Sequence, residues 1–167
     1  MPNWCNNTIE IQAEKEMIDA FESYLSENDG KDWFTFFKPL PENLKDDGWY
    51  EWSIENWGCK WNCDAQDWTV QEYDEENLSI RFWFDSPWGP PIALYEHIYN
   101  ETDFEVFGNY HEEGMGFVGR FEYGDNEQYE YSDLESLDDI PEDIVDEWNL
   151  REMLEDREEW DEDEEDE

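Results

Sequence analysis

The sequence predicts an α+β sandwich, an antiparallel sheet with two helices on one face. Two observations carry this. Strand-like and helix-like stretches follow one another in the order strand–helix–strand–strand–helix–strand. The chain of 167 residues also holds 11 Trp, 9 Tyr and 10 Phe, enough aromatic volume to fill the core of one domain.

From Trp4 to Gln12 the residues alternate, Thr8 and Glu10 on one side, Ile9 and Ile11 on the other, as in a strand with one buried face. Between Glu14 and Ser26, Met17, Ile18, Phe21, Tyr24 and Leu25 recur at steps of three and four, the spacing of an amphipathic helix. Asn28-Asp-Gly30 ends it. Phe34–Phe37 then runs into Lys38-Pro-Leu-Pro-Glu42, whose two prolines fix an extended crossing segment, and Leu44 to Gly48 reads as a polar loop. The stretch Trp52-Ser-Ile-Glu-Asn-Trp-Gly-Cys-Lys-Trp-Asn62 reads as a rigid aromatic knot. Trp52, Trp57, Gly58 and Trp61, with Trp4 of the first strand, are its expected structural residues.

Asp67–Tyr73 and Leu78–Phe84 read as paired strands across the acidic turn Asp74-Glu-Glu-Asn77. Asp85-Ser-Pro-Trp-Gly-Pro-Pro91 breaks regular structure, and a helix follows from Ile92 to Tyr99, with prolines suited to its first turn. Phe104–Tyr110 and Met115–Tyr123 read as a final hairpin, which closes a domain over residues 1–132.

Charge is the main clue to function. The chain carries 50 acidic and 9 basic residues, a net −41, and self-repulsion on that scale opposes compaction, so stability should rise with salt. Such a surface repels nucleic acid and anionic membranes, which excludes both as direct partners. Its natural partners are basic. Adaptation to high salt or solubility is the bland alternative, and it leaves the 11 tryptophans unexplained.

Residues 133–167 concentrate the acid, with 20 acidic and 2 basic residues against 30 and 7 in the rest of the chain. Pro141 to about Trp160 reads as a helix with Ile144, Val145, Trp148, Leu150, Met153 and Leu154 as apolar points. Residues 161–167, all acidic, read as a disordered tail. The apolar stripe of the helix could dock on the sheet or on a second copy, its acids then being a wet face.

Cys5, Cys59 and Cys63, an odd and small number without an export signal in view, read as reduced thiols in a cytoplasm. No apolar run approaches the ~18 residues that span a bilayer. Cys59 and Cys63, with Cys5, His97 or His111, could be arranged around zinc, but three residues separate the pair and no second pair follows. Buried free thiols are the better reading, and no metal or cofactor is expected. His111-Glu112-Glu113 could suggest acid/base work, yet a turn beside Gly114 is a more ordinary home for it. No Gly-rich phosphate loop, no Ser/His/Asp arrangement and no alternating calcium loop is present.

With these motifs placed, the chain resembles the YubB/Api-type ferredoxin-like domain family of small phage- and plasmid-borne proteins. The resemblance rests on Pro2-Asn-Trp-Cys-Asn-Asn-Thr8, Lys38-Pro-Leu-Pro41 and Glu55-Asn-Trp-Gly-Cys-Lys-Trp-Asn62, then Ser86-Pro-Trp-Gly-Pro-Pro91 and Tyr110-His-Glu-Glu-Gly114. These motifs cover roughly residues 1–122. They imply a ferredoxin-like fold and an origin on a mobile element, and they imply no activity. The acidic extension departs from that pattern, so a function particular to this chain is expected there.

The expectation is therefore a non-enzymatic accessory protein that binds a basic, nucleic-acid-binding host or viral protein and inhibits it by mimicking DNA or RNA. Carboxylates at helical spacing repeat every ~5–6 Å, comparable with phosphates along one strand. Asp138, Asp139, Glu142, Asp143, Asp146 and Glu147, then Glu155, Asp156, Glu158 and Glu159, could form such rows. The competing class is a small enzyme or ligand-binding domain that uses a tryptophan-lined surface, with Trp83 and Trp88 off the core face.

Overall fold

β1 (Trp4–Glu14) is the central strand of the protein, seen here in a computed structural model that describes residues 1–165. It pairs along its whole length with β3 (Asn77–Pro87), from Trp4↔Pro87 to Glu14↔Asn77, and on its other edge with β4 (Glu105–Glu112). β2 (Gln66–Glu72) lies outside β3, and β5 (Phe117–Glu122) and β6 (Asp125–Glu130) continue beyond β4. The order is β2-β3-β1-β4-β5-β6, antiparallel throughout. Its first four strands, with α1 (Lys15–Glu27) after β1 and α4 (Ile92–Glu101) after β3, make the expected ferredoxin-like α+β arrangement.

β6 goes beyond the five strands read from the sequence. Its sequence Asp-Asn-Glu-Gln-Tyr-Glu lacks an apolar alternation because it is an exposed edge, where charge protects against stray pairing. The two-residue turn Tyr123-Gly124, with both residues at positive φ (51° and 82°), is the signal that could have found it. The aromatic knot also contains regular structure, α3 (Trp49–Asn56), and Phe34–Phe37 forms a single helical turn, α2.

Strand pleating divides the sheet into two faces. Cys5, Asn7, Ile9, Ile11 and Ala13 of β1 point toward α1 and α4, whose Ile18, Phe21, Leu25, Leu94, Tyr95 and Ile98 are buried over them. The even-numbered residues of β1 point to the opposite face. On that face, over β5, lies a second apolar cluster. Val118 joins Tyr131, Leu137, Ile140, Ile144, Val145, Leu150 and Leu154, so the acidic extension is packed on the sheet as far as Leu154.

The expected continuous helix over 141–160 is two helices, α5 (Glu142–Glu147) and α6 (Leu150–Glu165). The chain turns between them at Trp148-Asn149, where Asn149 takes a left-handed φ of 50°, which asparagine tolerates better than most residues. The break lets α5 and the first turns of α6 lay apolar residues on one patch. Within the expected disordered tail, α6 stays helical through Glu165, because Leu150, Met153 and Leu154 anchor its first turns and glutamate propagates a helix well. Positions 166 and 167 of that tail lie outside the described residues.

Gly119 of β5 sits where the chain leaves no room for a side chain. A Cβ there would overlap the Tyr110 hydroxyl and the Glu127 carbonyl oxygen. Gly119→Ala should therefore cost about 1–3 kcal/mol, read as a thermal midpoint lowered by several degrees at fixed salt. An unchanged midpoint would mean that the Tyr110 ring and the β6 backbone at Glu127 both give way freely.

Candidate functional site

The extension is held by a small buried cluster and a set of ion pairs. His111 Nε2 and the Tyr131 hydroxyl are 2.6 Å apart, and the Trp148 ring lies 5.5 Å from the imidazole. Burial pushes the His111 pKa down and the Tyr131 phenol up to about 12, so at neutral pH the imidazole is uncharged and the phenol keeps its proton. In the tautomer protonated on Nδ1, Tyr131 donates to Nε2.

Around this cluster Arg120 of β5 hydrogen-bonds and pairs with Asp143 of α5, which holds that carboxyl below the usual carboxylate range. Arg151 reaches Glu142 at 3.3 Å, and Arg157 of α6 reaches Glu113 of the β4–β5 turn at 3.6 Å. Thr8 Oγ1 (3.2 Å) and Asn109 Nδ2 (3.4 Å) both donate to Glu147 Oε1.

The ten candidate partner-binding acids thus fall into two groups. Glu142, Asp143 and Glu147 are engaged by donors of the chain itself. Asp138, Asp139, Asp146, Glu155, Asp156, Glu158 and Glu159 stay exposed. The break at Asn149 prevents a single row from forming. What the fold offers instead is the outer part of α6, where every residue from Glu155 to Glu165 is exposed. This rod of eleven residues is about 16 Å long. Arg157 is its one cation, and Trp160, 73% exposed, stands among its carboxylates. An indole inside so acidic a run was the sequence signal for this feature.

On the part of the sheet face that the extension leaves open is a groove of about 460 Å³ that sequence reasoning missed. Thr8 and Glu10 line it with Arg81, Trp83, Phe107 and Asn109, and Asp67 and Glu147 stand at its rims. Arg81 pairs with Glu10 at 3.2 Å, and the Trp83 indole N–H donates to Asp67 Oδ2 at 2.9 Å. Trp83 and Trp88 both lie off the core, 38% and 52% exposed, and Trp88 is held at a left-handed φ of 69°.

Of the structural residues, Trp57 is buried, donates from Nε1 to the Lys38 carbonyl at 2.9 Å, and meets Trp52 edge to face at 5.1 Å. Gly58 follows it against the start of α4, where a Cβ would sit 3.0 Å from the Ala93 nitrogen. Trp61 contacts Trp4 at 6.1 Å, and Trp4 itself is 45% exposed. Cys5, Cys59 and Cys63 are free and buried, and burial raises the Cys5 and Cys63 thiols. Among the described residues no group of three His, Cys, Asp or Glu is placed to hold a metal ion. Glu112 is buried and accepts from the backbone N–H groups of Gly114 and Met115, both at 2.7 Å, which makes it a clamp on the β4–β5 turn. No described helix is long and apolar enough to cross a membrane.

Residues 60–165 match the family model of the ferredoxin-like domain in Api92-like proteins, and the chain belongs to that family. The matched span takes in the acidic extension, which the motif resemblance, ending near residue 122, does not reach. Among solved structures the chain is similar to the protein Api92 from Yersinia pseudotuberculosis, with 24% identity and a TM-score of 0.34. That match covers 50% of this chain and 30% of the Yersinia protein. No curated protein matches the chain.

The His111 cluster makes docking of the extension pH-dependent. Its folded pKa lies below the ordinary 6.5, so the unfolded chain binds the extra proton. The contribution is complete above about 6.5 and is lost as pH falls through the lowered folded value. Acid also relieves carboxylate repulsion, so the expected result is a difference. Between pH 7.5 and 5 the wild-type melting temperature should fall relative to that of His111→Phe. Parallel curves would remove His111 from the docking.

Proposed function

We propose that this Api92-like family member is a non-enzymatic binding protein that uses the outer part of α6 to engage a basic, nucleic-acid-binding protein as a carboxylate decoy. The observation that carries the reading is the exposure of α6 on all sides from Glu155 to Glu165. Nearer the sheet Glu142, Asp143 and Glu147 are taken up by donors of the chain itself, whereas here a continuous run of carboxylates faces solvent. A helix presents carboxylates around its whole circumference at ~5–6 Å spacing, with oxygens to accept from the lysine and arginine side chains that normally meet phosphates.

Trp160 adds what a phosphate backbone lacks, a large apolar side chain of the kind that anchors protein interfaces. The overall field steers a basic partner inward and makes association fast and salt-sensitive. Origin on a mobile element, action in the cytoplasm of the host cell and inhibition of the captured protein belong to the same proposal.

The docking geometry dictates the test. A chain ending at Ser132 would uncover Val118 and Tyr131, whereas one ending at Arg157 keeps the apolar patch and the Arg157–Glu113 pair. It removes nine acids and Trp160. The full chain should capture a nucleic-acid-binding protein from lysate at low salt. The purified partner should be displaced by duplex DNA or RNA, and should bind the Arg157-ended chain at least tenfold more weakly. Equal binding by both chains, or a partner indifferent to nucleic acid, would sink the decoy.

A further inference from the structure

A cavity of about 550 Å³ lies between the proline bend and α3, on the helix-covered side of the molecule, remote from the acidic extension. Trp49 of α3 and Trp57 and Trp61 just after it line the cavity, with Leu40 opposite and Asp32, Glu42 and Lys45 at its edge. We propose that this cavity binds an organic ammonium ion of the quaternary type, with dispersed charge and an apolar skin.

Three lines of geometry support that class. The first is the aromatic wall. The face of an indole is electronegative and attracts a cation within ~6 Å of the ring, most of all where water is excluded. Trp57 is fixed by its hydrogen bond to Lys38 and by edge contacts with Phe34 (5.4 Å) and Trp52 (5.1 Å), so part of the wall is already ordered before anything binds.

The second is that one ring of the wall already attracts a cation from outside the cavity. Lys60 Nζ lies 5.3 Å from the Trp61 ring centroid, and 6.0 Å from that of Tyr50, which is not part of the lining. The third is the charge around the cavity. Lys45, the cation in the lining, is paired with Glu42 at 2.7 Å, which leaves the exposed Asp32 carboxylate unmatched within a chain of net −41.

The same features exclude other ligands. An anion meets the repulsion of the whole chain. A small hard cation such as Ca²⁺ needs six to eight oxygens, and among the described residues no such cluster exists. A neutral apolar molecule could touch Leu40 and the indoles but would leave the field unused.

The site does not depend on α6, so it stands or falls separately from the decoy reading. The experiment is calorimetric titration of the full chain at constant ionic strength with choline and with its neutral isostere 3,3-dimethyl-1-butanol. Choline should bind saturably at one site, and the alcohol at least tenfold more weakly. Trp49→Ala removes a half-exposed ring and should weaken choline at least fivefold with an unchanged melting temperature, whereas the chain ending at Arg157 should bind it like the full chain. No saturable binding, equal affinity for both probes, or indifference to Trp49→Ala would overturn the site. So would choline binding that disappears with the tail, since that is ion condensation on carboxylates.

Discussion

Trp33 is fully buried between the sheet and the helices, with Phe34 at 4.8 Å, Phe82 and Phe84 at 5.1 Å and Phe21 at 6.4 Å around its ring. Phe36, Phe37 and Phe104 extend the same layer beyond Phe21. Aromatic contacts of this kind add about 0.5–1.5 kcal/mol per pair beyond area burial. The layer is also large enough to absorb a defect. Trp33 Nε1 has no hydrogen-bond partner among the described residues, an omission worth about 1–3 kcal/mol. A chain of net −41 needs such cohesion, because every carboxylate brought closer by folding raises the energy of the compact state.

Charge is then arranged so that its cost falls where it does least harm. The four arginines all lie in ion pairs, and three of those pairs, Arg120–Asp143, Arg151–Glu142 and Arg157–Glu113, involve the extension. Pairs as exposed as these contribute little individually, about 0–1 kcal/mol. Their effect is to lower repulsion where an acidic segment must approach an acidic sheet. Attraction comes from Ile144, Val145, Leu150 and Leu154 on Val118. Where that apolar stripe ends, at Leu154, apolar docking ends too, and beyond it the Arg157–Glu113 pair holds α6 to the β4–β5 turn.

The ferredoxin-like core was legible because its signals are local. Ile9 and Ile11 alternate in a strand, Phe21 and Leu25 share a helix face, and the prolines before Ile92 mark a helix start. β6 was not, since an edge strand that buries almost nothing has no apolar period to read. The division of the extension at Asn149 also escaped, because its cause is tertiary: the two helices bend to share one patch of β5. For the same reason sequence alone could mark candidate carboxylates but could not sort them. Asp143 and Asp146 look alike until Arg120 of β5 is seen to take one of them. The open groove over Thr8 and Glu10 exists because the extension covers only part of the sheet, a fact no motif records.

The acidic field acts over different ranges in the two proposed sites, and this separates them physically. Along the outer part of α6 the charges are fully exposed and attract a partner through solvent, so their influence decays within a Debye length of about 8 Å at physiological salt. Each carboxylate contributes a screened increment, and affinity depends on how many are engaged together. In the tryptophan cavity the decisive contact would be a cation against a ring face at van der Waals distance. Added salt weakens only the share supplied by Asp32 and the distant acids. One property of the chain, its extreme acidity, would thus supply nearly all of the attraction at one site and only a bias toward cations at the other. A field of one sign lets a small domain exclude every anion from both places without any residue devoted to doing so.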